Sequence, residues 1–251
     1  MRKNFSVFKS FVILLCAFCL PNQSFGIGAD AHVFHTDLGF PGIDLNGVNC
    51  PQSGKISPSL RDYTDPFWHT KPITAGNNYL HHVETFHFTP KVESLTGGTS
   101  SGTIYGDLLY TLSKFPNHYR ALYSISLYYA WKVYIRDNRA KLIDDGERMI
   151  PAECFFNRAI AFKKQDPKLY YLYGVYLYKV GELDLALEQF KKSEKLNPKD
   201  IYLISNMAKL YYDKGDYNNA VAYIKKAPKQ TKAIKKLVQM LADKKISIDS
   251  N

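Results

Sequence analysis

From residue 103 to residue 241 apolar side chains recur at three- and four-residue spacing, the pattern of helices that each bury one face. Between Lys168 and Ala227 the pattern is written twice with a period of 34 residues. Gly174 returns as Ala208, Gly181 as Gly215, Ala186 as Ala220, Phe190 as Ile224 and Ser193 as Ala227. One period earlier, Ala152, Phe156 and Ala159 repeat the places of Ala186, Phe190 and Ser193. Small residues at fixed places let two helices approach closely, and a glycine between them supplies the turn. The spacing therefore predicts a mostly α fold. Antiparallel helix pairs stack into a short α-solenoid, in which no pair buries its apolar face alone.

The flanks complete the array. Leu108, Leu109, Leu112 and Phe115 share a helical face that ends at Pro116-Asn117, and a second helix is expected from His118 to about Ile135. In repeat register, 104–116 is the second half of an incomplete repeat and His118 opens a first helix. The small residue due near Asn138 arrives only at Ala152, so 136–151 reads as an insertion. Insertions in solenoids map to loops on one face, often the binding face. After Ala227-Pro228, Thr231 to Leu241 reads as a capping helix with Ile234, Leu237, Val238 and Leu241 inward, followed by a fraying tail. Residues 27–102 are different: rich in Gly, Pro, Asn, Ser and Thr, yet carrying Phe34, Phe40, Tyr63, Phe67, Trp68, Tyr79, Phe86 and Phe88. This composition predicts an irregular segment that lies along the array and plugs aromatics into it. Thr85–Phe88 is expected as a short strand, and Thr89-Pro90 as the start of a helical turn. The organisation is thus 1–26 leader, 27–102 irregular segment, 103–227 repeats and 228–251 cap and tail.

Met1 to Gly26 has the form of a secretory signal peptide: Arg2, Lys3 and Lys9, an apolar run from Phe11 to Leu20, then Pro21 and small residues at Ser24 and Gly26. The run is too short to span a bilayer, which takes about 20 apolar residues. A cleaved leader implies a periplasmic or secreted protein with no transmembrane helix, and it removes two of the four cysteines. Cys50 and Cys154 remain. In an exported chain such a pair points to a disulfide, with two free thiols as the other outcome. The formal charge of +10 falls to +7 without the leader, and 163–251 alone carries 18 Lys against 10 Asp and Glu, with no Arg. Base readers favour Arg forks, so nucleic acid does not fit. An acidic peptide, an anionic membrane surface or an anionic polysaccharide suits this excess, as does a merely solvated basic face.

A period of 34 with this small-residue code is that of the tetratricopeptide repeat, whose first helices line a concave groove. Counting the repeat from Pro167 and Ile201 puts Lys168, Tyr171, Tyr178 and Lys179, then Tyr202, Lys209 and Tyr212, at groove-facing places. Tyr123 and Trp131 are the earlier equivalents. Tyrosine gives amphipathic contact area and lysine gives charge. The expected function is a non-catalytic exported scaffold that holds a peptide or protein partner, with no cofactor. The alternative is a metal-binding or hydrolytic envelope protein using the N-terminal histidines. All seven histidines precede residue 119, and His81, His82, Glu84 and His87 form the one metal-like group. That group lacks the two-His helical spacing of zinc sites, and no nucleophile motif or phosphate cradle accompanies it.

A more specific resemblance covers roughly residues 60 to 225. Val83-Glu84, Phe88-Thr89-Pro90, Val92-Glu93, Gly106-Asp107, Tyr110-Thr111-Leu112, Phe115-Pro116-Asn117-His118, Arg120-Ala121-Leu122, Pro151 to Phe156 and Arg158-Ala159-Ile160 resemble a group of exported proteobacterial tetratricopeptide-repeat proteins. The resemblance implies an export signal, an aromatic N-terminal segment and about three repeats, and it implies no activity. Lys164-Gln165-Asp166-Pro167 departs from the group's Arg-Pro-Asp turn.

Overall fold

A computed structural model describes residues 33–35, 38–51, 59–70, 78–130, 143–144, 147–228 and 231–248. The expected leader, Trp131 and most of the insertion lie outside these residues. Two minimal antiparallel ladders occur, β1 (Phe34–His35) with β2 (Ser59–Leu60) and β3 (Ile143–Asp144) with β4 (Glu147–Arg148). The rest of the regular structure is helical: α1 (Pro66–Thr70), α2 (Tyr79–Phe86), α3 (Pro90–Glu93), α4 (Ile104–Lys114), α5 (Tyr119–Tyr128), α6 (Ala152–Phe162), α7 (Pro167–Lys179), α8 (Leu183–Leu196), α9 (Ile201–Asp213), α10 (Tyr217–Lys226) and α11 (Lys232–Asp243). The fold is a mostly α solenoid.

The repeat code explains the pairs. α7 packs along α8 and α9 along α10, while α5 and α6 both rest on α7. Ala152, Ala186, Ala220 and the rings of Phe156 and Phe190 are fully buried. Between α7 and α8 the chain reverses at Gly181, with φ +88°, and between α9 and α10 at Gly215, with φ +77°. Nothing stands within 4 Å of a Cβ added at either place, so backbone conformation rather than space requires glycine there. In both turns the next residue's N–H returns to the last helical turn: Glu182 to the Leu177 carbonyl and Asp216 to the Tyr211 carbonyl, each at 2.9 Å. Asp166, Asp200 and Asp216 cap the helices that follow. α11 closes the array, burying Ile234, Leu237 and Leu241 against Ala208 and Ile224; Val238 is half-buried.

The N-terminal part is more ordered than its composition suggests. The strand expected at Thr85–Phe88 is not formed: α2 runs through Phe86. Asn78 caps it by accepting the His81 N–H, and Leu80 and Val83 go inward at helical spacing. Eight residues give too short a helical pattern to stand out beside Thr85, His87 and Phe88. α3 is the turn expected after Thr89, whose hydroxyl accepts from Val92. The regular α-helix α5 runs to Tyr128, Tyr129-Ala130 continue it as a wider π turn, and the remainder of the helix expected to Ile135 lies outside the described residues.

Aromatics do plug the array. Phe40 meets Phe155 edge-on at 5.1 Å, Trp68 meets Phe115 at 5.7 Å, and Phe88 is buried; Phe86, by contrast, is exposed. A buried cation fastens the segment. Arg158 of α6 is 1% exposed and donates from Nε to the Leu38 carbonyl at 3.0 Å and from Nη1 to the Leu112 carbonyl at 2.8 Å. Its guanidinium also lies over Phe40, and burial pushes its pKa down to about 10. Leu112 is in the last turn of α4, where carbonyls lack helical partners, so one side chain caps that helix and holds residue 38. Cys50 and Cys154 are bridged, Cα to Cα 5.6 Å, which fixes the same segment covalently to α6.

Candidate functional site

One side of α7 carries Lys168, Tyr171, Leu172, Val175, Tyr178 and Lys179, at steps of one and three residues, hence as one stripe; Leu172 is buried in the core, and Tyr171, Val175 and Tyr178 pack against it. This stripe borders an open cavity of about 600 Å³. α5 contributes Tyr119, Arg120 and Tyr123, α9 contributes Tyr202 and Asn206, and α3 contributes Glu93. A second cavity of about 800 Å³ adjoins it between α9 and α11, and Tyr202 and Asn206 border both. Its wall includes Lys209, Lys232, Lys236 and Met240.

Six of the nine side chains expected on the groove therefore meet on the first cavity: Tyr123, Lys168, Tyr171, Tyr178, Lys179 and Tyr202. Lys209 borders the second. Tyr212 borders neither cavity. Its ring packs 5.6 Å from Tyr217 and its hydroxyl reaches the Met240 carbonyl at 3.5 Å, because α11 covers that end of α9. Trp131 lies outside the described residues. The repeat count missed Glu93, Tyr119, Arg120 and the α11 lysines. For Lys232 and Lys236 a signal existed, two lysines one turn apart on an amphipathic cap; for Glu93 it did not, since α3 reaches the groove only through tertiary packing.

The polar atoms of the groove divide into committed and open. Lys209 Nζ binds both carboxylate oxygens of Asp213 at 2.6 Å and donates to the Tyr178 hydroxyl at 3.1 Å; that hydroxyl donates to Asp213. Burial works against the Lys209 charge, but Asp213 holds its pKa above the ordinary lysine value. Burial raises the Tyr178 pKa too. Arg120 takes both oxygens of Glu93 and also contacts Glu84. Tyr171 is pushed up to about 12, chiefly by burial, and its hydroxyl accepts from Asn206 at 2.9 Å. Lys168 Nζ lies 5.1 Å from the centre of the Tyr171 ring.

The histidine group expected as the alternative site is dispersed, because α2 is a helix and not a strand. Glu84 turns to His118 and Arg120, His87 turns to Asp107 at 2.9 Å, and His81 meets Thr85 at 3.4 Å. Asp107 is fully buried, and burial alone would raise its pKa; N–H groups of Thr99 and Ser101 together with His87 hold it below the ordinary value instead. Among the described residues no three or more His, Cys, Asp or Glu stand together as a metal site. No helix among them is long and apolar enough to cross a membrane.

His118 has a structural task with a pH signature. It is fully buried, its Nδ1 accepts the Ala121 N–H at 3.2 Å as the cap of α5, and its Nε2 donates to Glu84 at 3.2 Å. Burial lowers its pKa, with the Glu84 contact opposing. The unfolded chain thus takes up this proton first, so His118 contributes stability that is whole above about pH 6.5 and lost as pH falls below it. Glu84, lowered chiefly by the His118 hydrogen bond, adds a loss only at more acid pH, below about 4.3. Urea unfolding between pH 7.5 and 5 is expected to show His118→Asn, which keeps a capping oxygen, flattening the pH dependence by up to about 1.4 kcal/mol per pH unit. An unchanged slope refutes the assignment.

The family model of the tetratricopeptide repeat matches residues 167–200 and 202–227. Solved structures also match, among them two of MamA. MamA, residues 41 to the end, from Desulfovibrio magneticus RS-1 is 19% identical over 55% of this chain and 66% of its own length, just under two thirds, with a TM-score of 0.37. The ArsTM double mutant of MamA RS-1 is 18% identical over 56% of this chain and 67% of its own, with a TM-score of 0.36. α7–α8 and α9–α10 coincide with the two stretches that the tetratricopeptide-repeat model matches.

Proposed function

We propose that the chain is an exported scaffold that holds a peptide or protein segment in the groove formed by α5, α7 and α9. The observation that carries this reading is the meeting of Tyr123, Lys168, Tyr171, Tyr178, Lys179 and Tyr202 on one open cavity. Exposed aromatics bordered by open cations make an interaction surface rather than a packed core, since tyrosines left in water gain by being covered. Tyr202 is 67% exposed and Tyr123 is 42% exposed. The excess of lysine favours an acidic partner. Export is supported by the form of residues 1–26 and by the Cys50–Cys154 bridge, which persists in an oxidising compartment.

The test compares capture of partners from envelope extract by the wild-type chain and by a Tyr123→Ala/Tyr202→Ala variant. Exposed truncations alter stability by less than about 0.5 kcal/mol, so the thermal midpoint is expected to stay within a degree or two. The captured partner is expected to bind about ten-fold more weakly. Equal capture by both proteins refutes the groove as the working surface.

A further inference from the structure

Building on the groove reading above, we infer that this groove selects an extended acidic segment of a partner protein, with two side-chain carboxylates four or six residues apart on one face of the segment and an apolar stretch between them. Lys168 and Lys179 stand on the same stripe at opposite ends of α7 and border the same cavity. Their eleven positions correspond to about 16 Å along the helix at 1.5 Å per residue. An extended chain covers about 13 Å in four residues and about 20 Å in six at 3.3 Å each, and only even spacings turn both side chains to the same face.

The charges around the cavity make these two lysines the ones with work left to do. Arg120 is spent on Glu93 and Glu84, and Lys209 on Asp213. Among the described residues neither Lys168 nor Lys179 forms an ion pair, and Glu93, the acid on the cavity wall, is already held by Arg120. The two open ammonium groups therefore have no carboxylate of the groove competing for them. Between them lie Tyr171, Leu172, Val175 and the ring of Tyr178, an apolar strip facing Tyr202 on α9. Asn206 spends its amide hydrogens on the Tyr171 hydroxyl and the Tyr202 carbonyl, at 2.9 and 3.0 Å. Its Oδ1 is left to accept, and a segment in extended form has backbone N–H groups to offer.

The experiment measures fluorescence anisotropy of labelled eight-residue peptides, acetylated and amidated, titrated with the full chain. Each peptide carries two glutamates in a Leu/Tyr background, four, five or six positions apart. The spacings of four and six, which turn both carboxylates to α7, are expected to bind more tightly than five, and the tighter of the two is carried forward. Lys168→Glu and Lys179→Glu are each expected to weaken it about three-fold, and together about ten-fold. A peptide with lysines in place of the glutamates is expected to recover binding to the double reversal. Equal affinity across the separations, or reversals without effect, overturns the inference while leaving the groove reading intact as long as Tyr123→Ala/Tyr202→Ala still weakens binding. Binding indifferent to those tyrosines overturns both. If none of the peptides binds while anionic phosphatidylserine vesicles or a second copy of the chain bind through Lys168 and Lys179, the groove belongs to a membrane surface or to self-association and the inference is overturned.

Discussion

Replacing Cys50 and Cys154 together by alanine is expected to lower the unfolding free energy by about 3–5 kcal/mol, a fall in the thermal midpoint of roughly 10 °C. The size follows from the sequence separation of 104 between the two cysteines, because cross-linking a loop near that length removes about 4.7 kcal/mol of chain entropy from the unfolded state. The bridge closes a loop that runs from the N-terminal segment through α1 to α5 and into α6, so its loss loosens the unfolded ensemble of most of the N-terminal half. The folded state is expected to change little. Phe40 is fully buried against Phe155, the Phe40 N–H reaches the Pro51 carbonyl, and Arg158 still holds the Leu38 carbonyl. Urea unfolding of the wild-type chain with and without reductant, beside the double variant, checks both parts. A loss under about 1 kcal/mol refutes the entropic account. Early proteolytic release of residues 38–51 from the reduced, still folded protein shows instead that the bridge alone docks the segment.

The sequence was most informative where one physical constraint repeats. Gly181 and Gly215 recur because the same left-handed turn is made twice, and Ala186 and Ala220 recur because the same close approach is made twice. A fixed period converts local chemistry into tertiary position, which is why six groove residues could be placed by counting alone. The count failed where contact leaves the repeat. Tyr212 keeps the register of Tyr178, but Tyr178 borders an open groove and Tyr212 is covered by α11, a capping helix whose sequence departs from the repeat. Glu93 reaches the groove from a four-residue helix whose place depends on the Arg120 pair and on Val92 packing. Thr85–Phe88 reads as a strand because the helical signal of α2 consists of little more than Leu80, Val83 and the Asn78 cap.

The charges show the same division. Lys168 and Lys209 look equivalent in sequence as groove lysines. In the fold Lys209 joins Tyr178 and Asp213 in a network that ties α9 to α7, while Lys168 rests on a ring with its charge open. Reversal at Lys209 would set a glutamate beside Asp213, so a Lys209→Glu variant reports on packing between repeats, and only Lys168 and Lys179 report on the ligand. Lys209 takes its acid from four residues on in its own helix, a spacing legible in the sequence, and only the Tyr178 hydroxyl comes from one repeat away.

The second large effect is a change of sign at Gly174. Alanine in place of glycine inside a helix ordinarily stabilises by about 0.8–1 kcal/mol. Here a Cβ on Gly174 would stand 2.4 Å from Cδ1 and 2.5 Å from Cε1 of Phe190, a ring that is fully buried between α7 and α8. Overpacking of that kind costs about 1–3 kcal/mol, so Gly174→Ala is expected to destabilise by about 1 kcal/mol and Gly174→Leu by considerably more. With Phe190→Leu the obstacle is removed, and Gly174→Ala in that background is expected to stabilise by up to about 1 kcal/mol, a coupling of about 2 kcal/mol in the double-mutant cycle. The chain itself contains the natural counterpart: one period later the glycine is Ala208 and the ring is Ile224, small and large exchanged together in the cluster that α11 covers. Gly181→Ala is the control. Nothing crowds that position, and its cost of about 1–2 kcal/mol arises from φ alone, so it is expected to be the same in either Phe190 background. Urea unfolding of the six proteins measures the cycle. If Gly174→Ala destabilises equally with phenylalanine and with leucine at 190, the glycine is required by something other than the approach of that ring.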